Sequence, residues 1–292
     1  LNVKLVGVDH VNQSLSMSNC TVTDNLQAVS LVAGDNAVQQ LTLTDSQFSG
    51  NQDAFTYTFG NNGNITHIVR GCSFKDNLAS AVSLVATGNN NQINSTWTDT
   101  VMSNNSANAG TALLVDVTSP RAATFTFTRC TATSNTAYVN GGLFALNGTG
   151  DTMNVFINDC HFDNNTAPNG GVLFLNSSQG EITVNIVGVV ALNNSADDGT
   201  VEGVGGVLFA SVPTLFWEIE NCQFGANRAT TGAVGGLING NHILTMNTTT
   251  CDGNTAVNGG SIMWMSYATP KSPVVKVSDC IIQNHNDSTF YL

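Results

Sequence analysis

Positive charge is scarce in this chain, and charge of either sign is sparse. The 292 residues include 8 Lys and Arg against 20 Asp and Glu, so the formal net charge is −12, and only 10% of the residues are charged. Nucleic-acid phosphates and anionic lipid headgroups are bound by clustered cations. The composition therefore argues against a nucleic-acid partner and against a basic membrane-binding patch.

Long apolar runs are lacking as well. No run reaches the roughly 18 residues that a membrane-spanning helix requires, so no membrane span is expected. The first residue is Leu1, and no basic segment followed by an apolar one stands before it. We therefore expect a processed protein or a fragment of a longer one.

Residues that favour turns and strands outnumber good helix formers. The chain contains 38 Asn, 34 Thr, 23 Ser and 28 Gly. Asn, Ser and Gly favour turns over helices, and Thr is β-branched and fits a strand. We expect strands and tight turns in most of the chain.

A repeat of about 29 residues runs along the whole sequence. Its best-defined copy reads Cys160-His161-Phe162-Asp163-Asn164-Asn165 and continues to Gly170-Gly171. Alignment on the last Asn of that phrase gives a column that His285 completes in the tenth copy: Asn25, Asn51, Asn77, Asn105, Asn135, Asn165, Asn194, Asn227 and Asn254. Stacked carboxamides can hydrogen-bond to one another, and Asn tolerates a left-handed turn. The column predicts an asparagine ladder.

Three mostly apolar columns precede each ladder position. The first two differ by two residues, which is the period of a strand with one buried face. The first consists of Leu15, Leu41, His67, Ser95, Phe125, Val155, Val184, Trp217, Leu244 and Val275. The second consists of Met17, Leu43, Val69, Trp97, Phe127, Ile157, Ile186, Ile219, Met246 and Val277. The third consists of Val22, Phe48, Phe74, Met102, Ala132, Phe162, Ala191, Phe224, Cys251 and Ile282.

The same columns in every copy predict an all-β fold, a single-stranded parallel β-helix (solenoid) of about ten coils. Each coil buries its apolar face on the next, and at roughly 4.8 Å per coil the rod is on the order of 45–50 Å long. No linker interrupts residues 1–292, so we expect one domain that is part of a longer chain or a polymer subunit. Gly-Gly pairs, among them Gly141-Gly142 and Gly235-Gly236, are expected at a corner where a side chain would clash.

Six of the seven cysteines stand five residues before a ladder position, in a column of small residues, and Cys251 stands in the third apolar column. The seven are Cys20, Cys72, Cys130, Cys160, Cys222, Cys251 and Cys280. They are expected as small buried side chains. Disulfides between stacked coils are an alternative because neighbouring Cα atoms would lie within disulfide range, although the side chains point the same way and an odd count leaves one unpaired. A metal cluster is disfavoured because no Cys-x-x-Cys pair occurs.

Eleven Asn-x-Ser/Thr sequons are candidate sites of N-glycosylation. They begin at Asn12, Asn19, Asn64, Asn94, Asn104, Asn147, Asn164, Asn176, Asn193, Asn247 and Asn286. Five are expected in or beside the polar returns between strands: Asn64, Asn94, Asn147, Asn176 and Asn247. In a eukaryotic secretory pathway several should carry sugar. The alternative is a set of Asn-rich turns without glycans.

Carboxylates are the candidates for chemistry. Asp197-Asp198 lies in a loop, and Glu218 and Glu220 share the outward face of one strand, where two carboxylates could form an acid–base pair. The eight cations are scattered, so a solvated face is favoured. A row formed by Asp45, Asp99, Asp159 and Asp279 could bind calcium, but alternate copies lack the Asp, which favours a solvated turn. We expect no catalytic residue, no metal and no cofactor.

The phrases Phe-x-x-Asn and Gly-Gly-[Leu/Val/Ser] resemble the repeat of the polymorphic outer-membrane protein family of autotransporter-type surface proteins. Similar repeats occur in large extracellular proteins of protists and algae. The Phe-x-x-Asn phrases are Phe48…Asn51, Phe74…Asn77, Phe162…Asn165 and Phe224…Asn227. The resemblance covers nearly the whole chain. It implies a right-handed parallel β-helix on a cell surface, with a role in adhesion or structure and without catalytic residues.

Three functions are compatible with this pattern. The first is a non-catalytic extracellular structural glycoprotein, a rod that stacks head to tail on copies of itself or on further coils of the same chain to form an appendage, fibril or wall. The second is an adhesin-type passenger that binds host or glycan partners, for which a polar–aromatic patch across several coils is expected. The third, a polysaccharide lyase or hydrolase, needs a cationic cleft that the scattered cations do not supply.

Overall fold

The computed structural model describes residues 3–7, 9–86, 88–117, 120–148, 152–196, 203–238, 240–266, 273–286 and 288–291. All regular elements in these residues are β-strands, and the strand pairs are parallel. The expected all-β solenoid is confirmed: the chain forms stacked parallel coils with about 9 turns, close to the ten that the repeat predicts.

Three sheets form the flanks of the described solenoid. Sheet 1 has eleven strands: Val3–Val6, Gln27–Val32, Asp53–Phe59, Val82–Ala86, Leu113–Val117, Phe144–Gly148, Leu173–Ser177, Leu208–Ser211, Gly235–Ile238, Met263–Ser266 and Phe290–Tyr291. Sheet 2 has ten: Asn12–Ser18, Val38–Thr44, Asn64–Arg70, Asn91–Thr98, Pro120–Thr128, Thr152–Asn158, Glu181–Val187, Thr214–Glu220, Asn241–Asn247 and Val274–Ser278. Sheet 3 has ten: Thr21–Thr23, Gln47–Ser49, Ser73–Lys75, Val101–Ser103, Thr131–Thr133, His161–Asp163, Val190–Leu192, Gln223–Gly225, Thr250–Asp252 and Ile281–Gln283.

Two small sheets follow the ladder positions, before the chain enters sheet 1. One pairs Ser106–Ala109 with Thr136–Asn140. The other joins Ser195–Ala196, Arg228–Ala229 and Thr255–Ala256. They continue the backbone hydrogen bonding around a fourth side of the coil.

The strand register follows the three sequence columns. In sheet 2, Leu15 pairs with Leu41, and the column continues in register to Val275. In sheet 3, Val22 pairs with Phe48, and that column continues to Ile282. A slip of one residue would turn each column to solvent, so the apolar alternation fixes the register.

One expected corner is wrong. Gly235-Gly236 lies inside a sheet 1 strand, where Gly235 pairs with Leu208. The corner of this coil is made by Gly232, which has a φ of 63°. Gly235 is needed in the strand because a Cβ atom there would lie 2.5 Å from the ring of Trp217. Gly235 makes room for a core tryptophan, and neither glycine of the pair turns the chain.

Two of the columns formed by positive-φ residues bracket the sheet 3 strand. The first column is Asn19, Asp45, Gly71, Asp99, Arg129, Asp159, Gly188, Asn221, Thr248 and Asp279. The second is Asp24, Gly50, Asp76, Asn104, Ser134, Asn164, Asn193, Ala226, Gly253 and Asn284. The ladder asparagines are not among them, so the left-handed turn expected at the ladder belongs to the residue just before it. Asn, Asp and Gly dominate both columns because they adopt this conformation most readily.

Candidate functional site

The predicted asparagine ladder is confirmed. The side-chain Nδ2 of each ladder Asn donates to Oδ1 of the next across 2.9–3.1 Å, from Asn25 through to Asn254. The eight members from Asn51 onward are at most 1% exposed. The ladder is therefore an internal feature of the coil, closed off from solvent along its length.

Asn165 shows how completely each carboxamide is used. Its Oδ1 accepts from the backbone N–H and from Nδ2 of Asn135, at 3.2 and 2.9 Å. Its Nδ2 donates to the carbonyl of Ala132 at 3.1 Å and to Oδ1 of Asn194 at 2.9 Å. The amide dipoles point the same way in successive coils, which strengthens such a chain of bonds. An ionised Asp has no donor and a Ser hydroxyl has only one, so neither could make all four of these bonds.

The sequence predicts the residue that ends the ladder, but a second, shorter row of side-chain hydrogen bonds was not predicted. His285 takes the tenth position, as expected, and its Nδ1 lies 3.1 Å from the carbonyl of Asn254. A shorter row was missed: Oδ1 of Asp9 accepts from Asp35 N–H, and Oδ1 of Asp35 accepts from Asn61 N–H. Asn61 in turn accepts from Asn89 N–H. The sequence signal was available, because these four residues are spaced by 26, 26 and 28 residues, as the first ladder positions are.

The cysteines line the core column as free thiols. Cys72, Cys130, Cys160, Cys222 and Cys251 are buried, and Cys20 and Cys280 are partly buried. Burial raises the pKa of Cys222 to about 11 and that of Cys251 to about 12. The contact with the Cys130 thiol, together with burial, holds the pKa of Cys160 above its ordinary range. These thiols stay protonated at neutral pH and behave as small apolar side chains.

The eleven sequon asparagines all lie at the surface. Nine are exposed: Asn12, Asn19, Asn64, Asn94, Asn104, Asn164, Asn176, Asn193 and Asn286. Asn147 and Asn247 are partly buried. Asn64 and Asn247 are the end residues of their sheet 2 strands, and Asn147 and Asn176 stand one residue before the end of their sheet 1 strands. Asn94 differs from the expected position beside a return, because it lies inside a sheet 2 strand with its side chain facing outward.

The separation of surface and ladder asparagines has a structural cause. The residue two positions after a ladder Asn is a buried Ala in six coils: Ala107, Ala137, Ala167, Ala196, Ala229 and Ala256. A Ser or Thr there would bury a hydroxyl group in the corner. The core thus prevents the ladder Asn from being a sequon, while Asn104, Asn164 and Asn193, one residue earlier, are sequons that point to solvent.

The carboxylates do not converge on a site within the described residues. Glu218 and Glu220 face outward from one strand and are exposed, and Glu218 accepts a hydrogen bond from Asn185 at 3.1 Å. Asp197 and Asp198 lie outside the described residues. No group of three or more potential metal ligands is present in the part of the chain that the structure describes.

The four Asp residues considered for calcium binding do not form a continuous row. Asp45, Asp99, Asp159 and Asp279 never stand in successive coils, because Gly71, Arg129 and other residues separate them. Arg129 bonds Asp99 in the neighbouring coil with two contacts of 2.7 and 3.0 Å. That side-chain bond lowers the pKa of Asp99. Both side chains are exposed, so the pair stabilises the turn only weakly.

Comparison of the chain with protein-family models, with curated proteins and with solved structures gives no match. Among the described residues, no helix is present that is long and apolar enough to cross a membrane.

Proposed function

We propose that the chain is a non-catalytic structural glycoprotein of the extracellular space or cell surface, a rod-like building block of an appendage, fibril or wall. The proposal rests on the two different locations of the asparagines. Nine form a ladder inside the coil, and eleven sequon asparagines stand at the surface of the same solenoid. One residue type both holds the coils together and offers sites for N-linked sugar.

The proposed assembly would add coils along the axis of the solenoid. Val277 is 40% exposed, whereas Ile219 and Met246, its predecessors in the same core column, are at most 1% exposed. A further coil would cover this apolar edge, whether it comes from the same chain or from a copy added head to tail. Parallel sheets accept such an addition because the backbone groups of the edge strand are already in register.

The buried thiols fit an extracellular location. Free cysteines persist in an oxidising compartment when oxidants cannot reach them, and five of the seven are buried here. The resemblance to the polymorphic outer-membrane protein repeat supports a surface location as well.

Site-resolved glycopeptide mapping of the protein from its native source tests the proposal. Release of N-glycans by an amidase in heavy-oxygen water marks each formerly occupied Asn as a labelled Asp. We expect labelled Asp at several of the nine exposed sequons. Unlabelled asparagine at all eleven sequons would contradict the glycoprotein. A digest without the amidase is the control, since it reports spontaneous deamidation at Asn147, which precedes a glycine.

A further inference from the structure

Two grooves open on one flank of the solenoid, at the corner between the ladder and sheet 1. The larger has a volume of about 540 Å³, and its lining includes Thr231, Val257, Asn258, Trp264 and Ser266. The smaller has a volume of about 220 Å³, and its lining includes Leu78, Asn108, Leu114 and Tyr138. The larger lies within the range of roughly 300–1,000 Å³ that is typical of small-molecule sites.

The two grooves occupy equivalent places in the coil. Leu114 and Trp264 belong to one outward-facing column of sheet 1, which also contains Ala145, Phe174, Phe209 and Gly236. Between the grooves this column is closed, because Phe174 and Phe209 stack at 5.1 Å and are each only 7% exposed. The larger groove begins where the closed stretch ends.

Trp264 forms the aromatic wall of the larger groove. Gly259, with a φ of 94°, stands beside it, and a Cβ atom there would lie 2.6 Å from Cδ1 of the indole. The absence of a side chain at Gly259 lets the indole lie against the corner backbone. Asn258 and Ser266 place an amide and a hydroxyl group beside the ring.

The described residues of the lining carry no charged side chain, and the chain as a whole carries a formal charge of −12. An anionic ligand would meet repulsion at long range and no cation among these described lining residues. A sugar ring matches the lining better, since it has a face of C–H groups that can lie on an indole and a rim of hydroxyls that can bond to amides and hydroxyls.

We propose that the Trp264 groove binds a neutral oligosaccharide. This activity goes beyond the structural role, because it would let a rod attach to a polysaccharide through its side face. Trp264 supplies the stacking surface, and Asn258 and Ser266 supply hydrogen bonds that orient the ring.

Intrinsic fluorescence tests this proposal in the full chain. Trp97 and Trp217 are fully buried, so a change in emission on adding ligand reports Trp264. The enzymatically deglycosylated protein is titrated with neutral glucan, mannan and galactan oligosaccharides, so that its own sugars cannot occupy the groove. We expect saturable binding of at least one neutral series. Trp264→Ala, followed by calorimetry, should weaken that binding at least tenfold, and Asn258→Ala, which removes an exposed carboxamide from the lining, should weaken it severalfold.

Phe216→Ala is the matched control, since Phe216 is a partly exposed aromatic on the outward face of sheet 2. It should bind as the unaltered protein does. The proposal is overturned if no neutral series binds, if polygalacturonate binds in preference to the neutral sugars, or if Trp264→Ala binds with unchanged affinity while keeping its far-UV circular dichroism.

Discussion

At the scale of single residues, the ladder asparagines are the side chains whose removal costs most for their size. Asn165→Ala deletes one carboxamide and leaves the backbone N–H and Nδ2 of Asn135 without their acceptor. Each buried orphaned group costs about 1–3 kcal/mol. We expect the free energy of unfolding in urea to fall by about 2–5 kcal/mol.

Asn164→Asp is the control for this substitution. Asn164 is the exposed neighbour with a φ of 56°, and Asp tolerates that conformation. Its stability should change by less than about 0.5 kcal/mol. Equal losses in the two variants would show that the ladder contributes nothing beyond the turn.

A second residue-scale prediction concerns His67, whose ring is buried against Tyr57 at a centroid distance of 4.4 Å. Burial lowers the pKa of His67 from 6.5 to about 3. The unfolded chain therefore takes up a proton below pH 6.5 that the folded chain refuses until about pH 3. This contribution to stability is complete above pH 6.5 and is lost as the pH falls towards 3, by up to about 1.4 kcal/mol per pH unit.

Denaturant titrations between pH 7 and pH 4 measure this slope. His67→Leu should flatten the slope relative to the unaltered chain, whereas His10→Asn, at an exposed turn, should leave it unchanged. Identical slopes for the His67 variant and the unaltered chain would refute the assignment.

At the scale of the repeated element, two glycines of one coil differ in the space that the structure leaves for a side chain. A Cβ atom on Gly142 would collide with the carbonyl oxygen of Gly171 in the next coil. Gly148, by contrast, has no atom closer than 3.5 Å to an added Cβ and does not have a positive φ. Thermal unfolding should show Gly142→Ala destabilised by more than about 2 kcal/mol and Gly148→Ala changed by less than about 1 kcal/mol. The reverse order would contradict the corner geometry.

The cysteine column provides a second test at this scale. Brief treatment of the folded protein with iodoacetamide at pH 7.5 should modify only the partly buried Cys20 and Cys280. The five buried thiols should react only after unfolding in urea, since burial keeps them out of reach of the reagent. Mass spectrometry of the peptides reads the pattern. Rapid labelling of Cys130 or Cys160 in the folded chain would contradict it.

Much of the coil could be predicted from the sequence because its period is strict. Leu15 and Val22 each begin a column that the structure keeps in register over ten strands, and Asn25 begins the ladder of nine asparagines. The alternation of apolar and polar residues allows one register only, and the ladder needs an Asn in every coil.

The remaining features depend on contacts between columns, which a single period does not reveal. Gly235 is required because the Trp217 ring fills the space that its side chain would occupy. The sequence does not distinguish a Gly-Gly pair within a strand from one at a corner. The Trp264 groove depends on which coils close the corner with Phe174 and Phe209 and which leave it open. The surface position of the sequons followed from their spacing only in part, because Asn94 faces outward from within a strand.

At the scale of the whole molecule, the sheets and the ladder run along one axis, and axial addition of coils is the simplest way to extend them. Native material imaged by electron cryomicroscopy tests this central claim. We expect rods or filaments with an axial layer line near 4.8 Å, the spacing of stacked strands, that extends over more coils than this chain supplies. Isolated compact particles of 30.5 kDa, without sugar and without axial continuation, would contradict the structural role.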